Sequence, residues 1–463
     1  MRVDLGDALF RPRGIAIVGA SNNPDKLSGR PLDFLLRLGF KGEVYPINPT
    51  RSQVQGVASY SSLAAVTGPV DLAIVVQPSC AVPQALRECA SAGVSVAIVF
   101  ASGFAEMGGE GDALQAEVED IVRSTGLRVI GPNCLGTFGL PNRALATFSS
   151  AFDENTNLLD DAVAIVSQSG AVGSFIYASL VALGIGARYY ANTGNQADVT
   201  VGEVLLNLAQ ADDVEILVGY LEDGRGLDLL AEAAQIASSR NKPLLLLKSG
   251  ATAPGSRAVG FHTASQPGSD EAFSALMAQH GAIRVESMEA VADMVLVLRP
   301  GRLAKGKRLA IMTSSGGVSA LTTDAAVQAG LLVDETSAQT QALLRTMIPD
   351  FGSAANPIDL TGALLTDPSL IERTLAALVV DPEVDMVLVV LGNADRGSED
   401  IVRGIHNGFK ATDKPFAVAW SGGSGRPRQA LLDLQVPTFS EPARAVKALE
   451  RLSRFSLRTR TYP

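Results

Sequence analysis

The sequence describes a long, acidic chain with the composition of a globular protein. It has 463 residues, of which 47% are hydrophobic and 19% charged, with 45 glycines and a formal net charge of −10. This length favours about three domains of ordinary size. No Lys/Arg run and no basic–aromatic interleaving occurs, which argues against nucleic-acid binding. No apolar run reaches the roughly 18 residues that span a bilayer, so we expect a cytoplasmic protein without membrane segments.

The few cysteines and histidines restrict metal and disulfide chemistry. Cys80, Cys89 and Cys134 form an odd set without CxxC spacing, which argues against a disulfide framework or a zinc site. His280 and His406 lie in helical patterns and are interpreted as capping or surface residues. The sequence offers no cluster with metal-ligand spacing. We therefore expect no metal ion bound by this chain itself.

Short hydrophobic runs alternate with helix-length segments along the whole chain. The runs start at GIAIVG, EVYPI, DLAIVV, VSVAIVF and LRVIG, continue with DAVAIV, ARYYA, VEILVGYL, PLLLLK and AIRV, and end with KRLAIMT, VDMVLVVL, PFAVAW and VPTF. Such continuous apolar strands predict parallel sheets covered by helices on both faces. We predict an α/β chain with a Rossmann-like domain at 1–140 and two flavodoxin-like doubly wound domains at 141–299 and 300–463. PGRLAKGKR (300–308) is the predicted linker between the last two.

The turn after the first strand, within IAIVGASNNPDKLSGRPL (15–32), resembles a nucleotide-binding strand–loop–helix. It lacks GxGxxG, and no acidic residue ends the second strand, so the dinucleotide fingerprint is absent. Ser21, Lys26 and Arg30 precede a helix N-terminus, which suits a phosphate-bearing ligand. The alternative is an ordinary turn with solvated charges. The turns VVQPS and FASGFAE fall on the same sheet edge, which predicts one groove for an extended ligand.

The first strand of the second domain ends in IVSQSGAVGS (165–174). Ser169 and Gly170 open a helical run, and backbone N–H groups at a helix start favour an anion. A plain helix cap is the alternative. The segment is superficially similar to the GxSxG nucleophile elbow, but it reads S-Q-S-G-A, without the glycines of that motif, and no triad order follows.

Two titratable residues follow the next strands of that sheet. Glu222 lies in YLEDGRG, where a carboxylate can orient an imidazole, although such an acid is more often simply solvated. His262 lies in SRAVGFHTASQPGSD (256–270), which we predict to be a slim loop before a helix that begins near Asp270. A neutral imidazole is a good nucleophile near pH 7. With Ser169 on the same edge, these residues predict a phosphoryl-acceptor site.

GPNCLG (131–136) follows the last strand of the first domain and contains Cys134. A catalytic thiol needs a base to activate it, and no histidine lies near this cysteine in the sequence. We therefore interpret Cys134 as a small, buried apolar residue.

The ordered set of motifs resembles a known family. VGASNNPDKLSGRPL, YPINP, GPNCLG, VSQSGAVG, GNQADV, KSG and FHTASQPGSD resemble the nucleoside-diphosphate-forming acyl-CoA synthetases, the superfamily of succinyl-CoA synthetase and ADP-forming acetyl-CoA synthetase. TSSGGVSAL (313–321) and ANPIDLTG (355–362) resemble the extra domain of the acetyl-CoA synthetase branch. Any one motif is weak, but the whole ordered set is a strong indication.

The resemblance implies the α-type subunit of an ADP-forming acyl-CoA synthetase. Such enzymes interconvert a small carboxylic acid, CoA and ATP with acyl-CoA, ADP and phosphate, through an acyl phosphate and a phosphohistidine. By position, His262 resembles the phosphohistidine and Glu222 its stabilising glutamate, while Ser169 and Gly170 match the phosphate-binding helix start. The CoA-contacting turns of the family fall, in this sequence, on Ser21, Lys26, Gln77 and Ser102.

The histidine segment departs from the usual family sequence SHTGSLAGSD at Phe261, Ala264 and Pro267, which predicts a stiffer loop. We expect the acid pocket beside His262 and GPNCLG, shaped by Phe261 with Tyr189 or Tyr190. No GxxxxGK[ST] motif or ATP-grasp pattern occurs. ATP, ADP and Mg²⁺ are therefore expected to bind only through a separate ATP-grasp β-type subunit, in an oligomer.

Two other functions fit parts of the sequence. A CoA- or acyl-CoA-binding regulatory or transferase partner would bind CoA without becoming phosphorylated. An NAD(P) oxidoreductase is disfavoured because the glycine fingerprint and the ribose-binding acid are missing. Binding of CoA against NAD, and phosphorylation of His262, distinguish the three.

Overall fold

The computed structural model of the chain describes residues 4–153, 158–263 and 269–461, with side chains except at 261–263 and 460–461. The chain forms two compact units, Met1–Met288 and Glu289–Pro463. In the part of the chain that is described, no helix is long and apolar enough to cross a membrane. The first unit contains two large sheets and the second contains one.

The first sheet has five parallel strands in the order β2-β1-β5-β6-β7. Its strands, together with a small β3–β4 ribbon, are β1 (Gly14–Val18), β2 (Glu43–Ile47), β3 (Gln53–Val54), β4 (Val57–Ala58), β5 (Leu72–Val75), β6 (Val96–Val99) and β7 (Arg128–Ile130). The helices of this part are α1 (Leu5–Phe10), α2 (Arg30–Arg37), α3 (Val82–Ser91) and α4 (Glu110–Thr125). The central strands β1, β5 and β6 are buried along their whole length, as expected of a sheet covered on both faces.

The second sheet has seven strands in the order β14-β13-β12-β10-β11-β8-β9. They are β8 (Gly136–Gly139), β9 (Ala144–Thr147), β10 (Val163–Ser167), β11 (Tyr189–Asn192), β12 (Ile216–Leu221), β13 (Leu244–Lys248) and β14 (Ile283–Val285). The sequence prediction missed the β8–β9 hairpin, which pairs antiparallel with β11. The prediction placed the start of this hairpin in the first domain, whereas the hairpin completes the second sheet.

The helices of the second sheet are α5 (Gly170–Val181), α6 (Val201–Gln210), α7 (Leu227–Ser239), α8 (Ala253–Thr263), α9 (Asp270–His280) and α10 (Met288–Leu298), the last of which crosses the boundary between the units. The predicted loop from Ser256 is wrong up to Thr263, because these residues are helical. Pro254 stands in the first turn of α8, where its missing N–H costs no hydrogen bond. The start of α9 at Asp270 is confirmed.

The second unit has a parallel sheet in the order β16-β15-β17-β18-β19. Its strands are β15 (Leu309–Thr313), β16 (Ile358–Asp359), β17 (Met386–Gly392), β18 (Phe416–Ser421) and β19 (Thr438–Phe439). Its helices are α11 (Gly316–Gln328), α12 (Ala338–Arg345), α13 (Ala363–Thr366), α14 (Ser369–Val380), α15 (Ser398–Lys410), α16 (Arg426–Asp433) and α17 (Pro442–Thr461). The predicted linker packs onto this unit, with the Arg302 guanidinium 3.7 Å from the centre of the Phe409 ring. The doubly wound fold predicted for this part is confirmed.

Candidate functional site

The turns after β1, β5 and β6 lie side by side, and we call them the first-sheet edge. They adjoin because β5 lies between β1 and β6. Gly19 has a φ of +93°, and a Cβ there would lie 2.7 Å from the Val76 carbonyl oxygen. Gly103 has a φ of +102°, and a Cβ there would lie 3.0 Å from the Ser79 hydroxyl. Both positions need glycine, so the three turns form one close-packed surface.

The sequence-predicted residues of this edge differ in exposure. Lys26 and Ser102 are exposed, while Ser21 and Gln77 are half-buried. Arg30 pairs at 3.4 Å with a carboxylate that follows β9. The structure therefore places the four candidate binding residues on three adjoining turns, with Lys26 exposed on the first of them.

Glu106 holds the last of these turns in place. Its carboxylate accepts hydrogen bonds from the N–H groups of Gly103 at 2.6 Å and Phe104 at 3.2 Å, and from the Asn195 amide at 2.6 Å. Burial opposes ionisation, but the hydrogen bonds from Asn195 and Gly103 prevail and keep the pKa of Glu106 below its ordinary value. Glu106 is therefore ionised at neutral pH. Sequence reasoning did not identify it.

The carboxyl ends of β10, β12 and β13 are neighbours, and we call them the second-sheet edge. Ser169 is the N-cap of α5, and its hydroxyl accepts a hydrogen bond from the Val172 N–H at 3.5 Å. The Ser167 hydroxyl donates to the Ser169 carbonyl at 2.6 Å, which fixes the turn before Gly170. The start of a 12-residue helix thus lies at the centre of this edge, where its dipole favours an anion.

Gln168 joins two turns of the second-sheet edge. Its side-chain oxygen accepts hydrogen bonds from the N–H groups of Glu222 at 2.8 Å and Asp223 at 3.3 Å. Its amide nitrogen donates to the Asp223 carboxylate at 3.0 Å. Gln168 is 3% exposed, so these bonds form in a water-poor interior. Gln168 thus fixes the backbone of Glu222 relative to the turn of Ser169.

Glu222 is 6% exposed, and one of its carboxylate oxygens accepts a hydrogen bond from the Tyr220 hydroxyl at 3.1 Å. Burial, and then the neighbouring Glu222, raise the pKa of Tyr220, so the phenol remains a donor. Lys248 ends the adjoining strand β13, and burial lowers the pKa of its amine. The edge therefore combines a buried carboxylate, a lysine and a helix start. Lys248 belongs to the KSG motif, but its role was not predicted.

His262 lies in the last turn of α8, which follows β13. Its side chain lies outside the described residues, as does that of Phe261, and Ala264 and Pro267 fall in the undescribed segment 264–268. The meeting of His262 with Glu222 and Ser169 therefore stays a prediction.

Cys134 is 3% exposed, and its thiol donates to the Val99 carbonyl at 3.3 Å. Burial raises its pKa to about 12, so almost no thiolate exists at neutral pH and the interpretation as a buried apolar residue is confirmed. Tyr189 and Tyr190 are 1% and 3% exposed. Tyr190 stacks on Phe138 with 5.4 Å between ring centres. Because both tyrosines belong to the core, neither lines an accessible acid pocket, and that part of the prediction is wrong.

Within the described ranges, no group of His, Cys, Asp and Glu is arranged to hold a metal ion. His280 ends α9 and His406 lies within α15, and both are half-buried. Neither histidine lies at the carboxyl end of a strand.

The second unit has a cavity of about 370 Å³ at the carboxyl ends of β15, β17 and β18. TSSGGVSAL supplies Thr313 and Ser315, and ANPIDLTG supplies Thr361 and Gly362. The two motifs quoted for the third domain therefore meet at one concavity. It lies where strand order reverses between β15 and β17, the usual place for a ligand in a doubly wound sheet.

Three family models match successive parts of the chain. The CoA binding domain matches 13–139, the succinyl-CoA ligase like flavodoxin domain matches 160–298, and the ligase-CoA domain matches 309–394. These matches agree with a CoA-binding fold followed by flavodoxin-like folds.

Similarity to characterised proteins extends over nearly the whole chain. The acetate–CoA ligase [ADP-forming] I subunit alpha of Pyrococcus furiosus is 30% identical, and the match covers 97% of each chain. The chain belongs to the family of ADP-forming acyl-CoA ligases. Another member, the 4-hydroxybutyrate–CoA ligase [ADP-forming] of Nitrosopumilus maritimus, is 32% identical, and the match covers 97% of this chain and 64% of that protein.

A solved structure in the same family has the same fold. The dinucleotide forming acetyl-coenzyme A synthetase 1 of Ca. Korarchaeum cryptofilum, in complex with phosphate and ADP, is 31% identical with a TM-score of 0.91. The match covers 99% of this chain and 98% of that chain. In this member of the ADP-forming acyl-CoA ligase family, sequence reasoning identified the turns that form the candidate site. It missed the side chains that hold those turns together: Glu106, Gln168, Asn195 and Asp223.

Proposed function

We propose that this chain is the α-type subunit of an ADP-forming acyl-CoA synthetase. CoA binds at the first-sheet edge, where Ser21, Lys26, Gln77 and Ser102 contact it. The glycine-dependent approach of these turns supports this assignment, because the resulting surface is continuous and carries an exposed cation for a phosphate. A small carboxylic acid is the second substrate.

Phosphoryl transfer occurs at the second-sheet edge. In the direction of ATP formation, a phosphate oxygen attacks the thioester carbon of acyl-CoA, the C–O bond forms, the C–S bond breaks and the thiolate takes a proton. An imidazole nitrogen of His262 then attacks the phosphorus of the acyl phosphate, so that the N–P bond forms and the carboxylate leaves. Glu222 accepts a hydrogen bond from the other ring nitrogen, and the start of α5 at Ser169 and Gly170 stabilises the phosphoryl oxygens.

The observation that carries the proposal is the buried hydrogen bond from the Glu222 N–H to Gln168, which holds Glu222 beside the start of α5. The helix of His262 follows β13, the strand next to the one that ends at Glu222. The phosphoryl group then passes to ADP on a separate ATP-grasp subunit, which also holds Mg²⁺. The naming of similar full-length relatives as alpha subunits supports such a partner.

Radiolabelling tests the proposal. The chain is mixed with the ATP-grasp subunit encoded in the same genome and with γ-labelled ATP, and acid-labile label is expected on His262. His262→Ala abolishes the label, while His406→Ala, a control on another helix, retains it. Calorimetry with CoA and with NAD runs in parallel. CoA binding without label under a working partner favours the regulatory protein, and NAD binding favours the oxidoreductase.

A further inference from the structure

A network of buried and partly buried polar contacts connects the two edges of the first unit. It starts at the N–H of Gly103, passes through the Glu106 carboxylate, and reaches the Asn195 amide at 2.6 Å from Glu106. The backbone carbonyl of Asn195 accepts a hydrogen bond from the Arg225 guanidinium at 2.6 Å. Glu106 and Asn195 are separated by 89 positions in the sequence, so this contact exists only in the folded chain.

The network of polar contacts continues from Arg225 to the second-sheet edge. The Arg225 backbone N–H donates to the Asp223 carboxylate at 2.9 Å, and the guanidinium lies 3.6 Å from the same group. Asp223 is 2% exposed and also accepts hydrogen bonds from the Gln196 and Gln168 amides. Gln168 in turn holds the N–H of Glu222. The turn that carries Ser102 and the turn that carries Glu222 are therefore joined by a network of side-chain and backbone contacts.

Asn195 is the central residue of this network, and every polar atom it has is engaged. Its amide nitrogen donates both to Glu106 and, at 3.0 Å, to Gln115. Its side-chain oxygen accepts from Asn133 at 3.3 Å, and its backbone N–H donates to Pro132 at 2.9 Å. Only a side chain with an adjacent donor and acceptor satisfies this arrangement, so neither Asp nor Leu replaces it.

We infer that Asn195 is a positioning residue that holds the turn at 100–106, which binds CoA, in register with the phosphoryl-transfer site. The inference rests on the proposed function. The CoA thiol must reach the acyl phosphate formed beside His262, and a misplacement of about 1 Å costs about 100-fold in rate. The hydrogen bond between Asn195 and Glu106 fixes the distance between the two turns, and Asn195 does this without contacting either substrate.

A network that only stabilised the fold would affect both half-reactions alike. A positioning role predicts a split, because phosphorylation of His262 by ATP does not involve CoA. Asn195→Ala is expected to weaken CoA binding about 10-fold and to lower kcat/KM for CoA about 100-fold, with the rate of His262 labelling within about 2-fold of the original. Asn207→Ala is the matched control, because the hydrogen bond described for its amide lies within α6, to the Glu203 carbonyl at 3.0 Å.

Moving the carboxylate from Glu106 to position 195 tests the same contact directly. Asn195→Asp places two carboxylates against each other and is expected to weaken CoA binding more than Asn195→Ala does. Adding Glu106→Gln restores one donor and one acceptor at this contact, and the double variant is expected to bind CoA within about 3-fold of the original chain. This comparison also holds if Asn195→Ala does not fold, because it depends on the difference between two other variants.

The outcomes separate the two proposals. An original chain that fails to bind CoA in calorimetry overturns the proposed function itself. An original chain that binds CoA, beside an Asn195→Ala variant of equal CoA affinity, overturns the positioning role. Equal losses in the rate of His262 labelling and in kcat/KM for CoA also overturn it. So does a double variant, Asn195→Asp with Glu106→Gln, that binds CoA no better than Asn195→Asp alone.

Discussion

The carboxyl edges of the second and third sheets share one local design. In the first unit β10 ends at Ser167 and α5 begins at Gly170, and in the second unit β15 ends at Thr313 and α11 begins at Gly316. The last strand residue donates its hydroxyl to the carbonyl two positions on in both turns, at 2.6 Å and 3.4 Å. The same strand–turn–helix therefore occurs twice, in the same register.

The two edges differ in what fills them. In the second sheet, the residue after the strand is Gln168, which spans to the next turn. In the third sheet it is Ser314, which lines the cavity of about 370 Å³. The acid of the adjoining turn, Asp395, accepts from the Ser424 N–H at 2.8 Å, while its other oxygen, in the described part of this unit, is buried without a partner.

This difference shows how one fold supports two kinds of surface. At the second-sheet edge, the long side chain of Gln168 bridges two turns and fixes the position of Glu222. At the third-sheet edge, the small side chain of Ser314 lines a cavity. The fold determines where a ligand can meet the sheet, and one or two side chains after the strands determine the chemistry available there. Variants that exchange or remove those side chains test the contrast.

The largest effect is expected from Glu222, the buried carboxylate of the second-sheet edge. Glu222→Gln keeps the shape of the side chain but removes the carboxylate that the proposed function assigns to the imidazole, so the rate of His262 labelling is expected to fall about 100-fold or more. The measurement is the initial rate of label incorporation from ATP with the partner subunit. Glu215→Gln, at the opposite end of the same strand, is the control. A Glu222→Gln variant that labels at the original rate contradicts the assigned role.

The next effect is on stability. Gln168→Leu removes the acceptor of two buried N–H groups and one of the donors to the Asp223 carboxylate, and it is expected to lower the free energy of unfolding by about 2–3 kcal/mol. Ser314→Ala, its counterpart in the third sheet, is expected to cost less than about 0.5 kcal/mol.

The single tryptophan allows the two units to be followed separately. Trp420 lies in β18, so its fluorescence during urea unfolding reports the second unit, while far-UV circular dichroism reports both. Gln168→Leu is expected to shift the dichroism transition and not the fluorescence transition. Equal shifts from Gln168→Leu and Ser314→Ala would remove the distinction between the edges.

Much of the fold was predictable because its strands are continuous apolar runs between helix-length segments. The β8–β9 hairpin was not, since GTFG and ALAT are only four residues long and each carries a single β-branched residue among small residues. The segment 256–263 carries a glycine and small polar residues that favour a loop, and only the fold shows that it continues a helix.

The site was predictable at the level of turns and not at the level of contacts. Residues that follow neighbouring strands must share an edge, so Ser169 and Glu222 were placed together correctly. The side chains that join those turns bond across 54 positions for Gln168 and Glu222, and periodicity carries no information on such pairs. The motif GNQADV contained Asn195, but its role depends on a partner in another turn.

The smallest expected difference concerns the two helix caps. The Ser169 hydroxyl accepts from the Val172 N–H, so Ser169→Ala is expected to cost about 1 kcal/mol of unfolding free energy. Ser315 caps α11 without any side-chain hydrogen bond, so Ser315→Ala is expected to change stability by less than about 0.5 kcal/mol. Dichroism reads the first substitution and Trp420 fluorescence the second. Equal costs for the two serines would mean that α11 is capped as firmly as α5. The two edges would then differ in the cavity beside the helix and not in the helix cap.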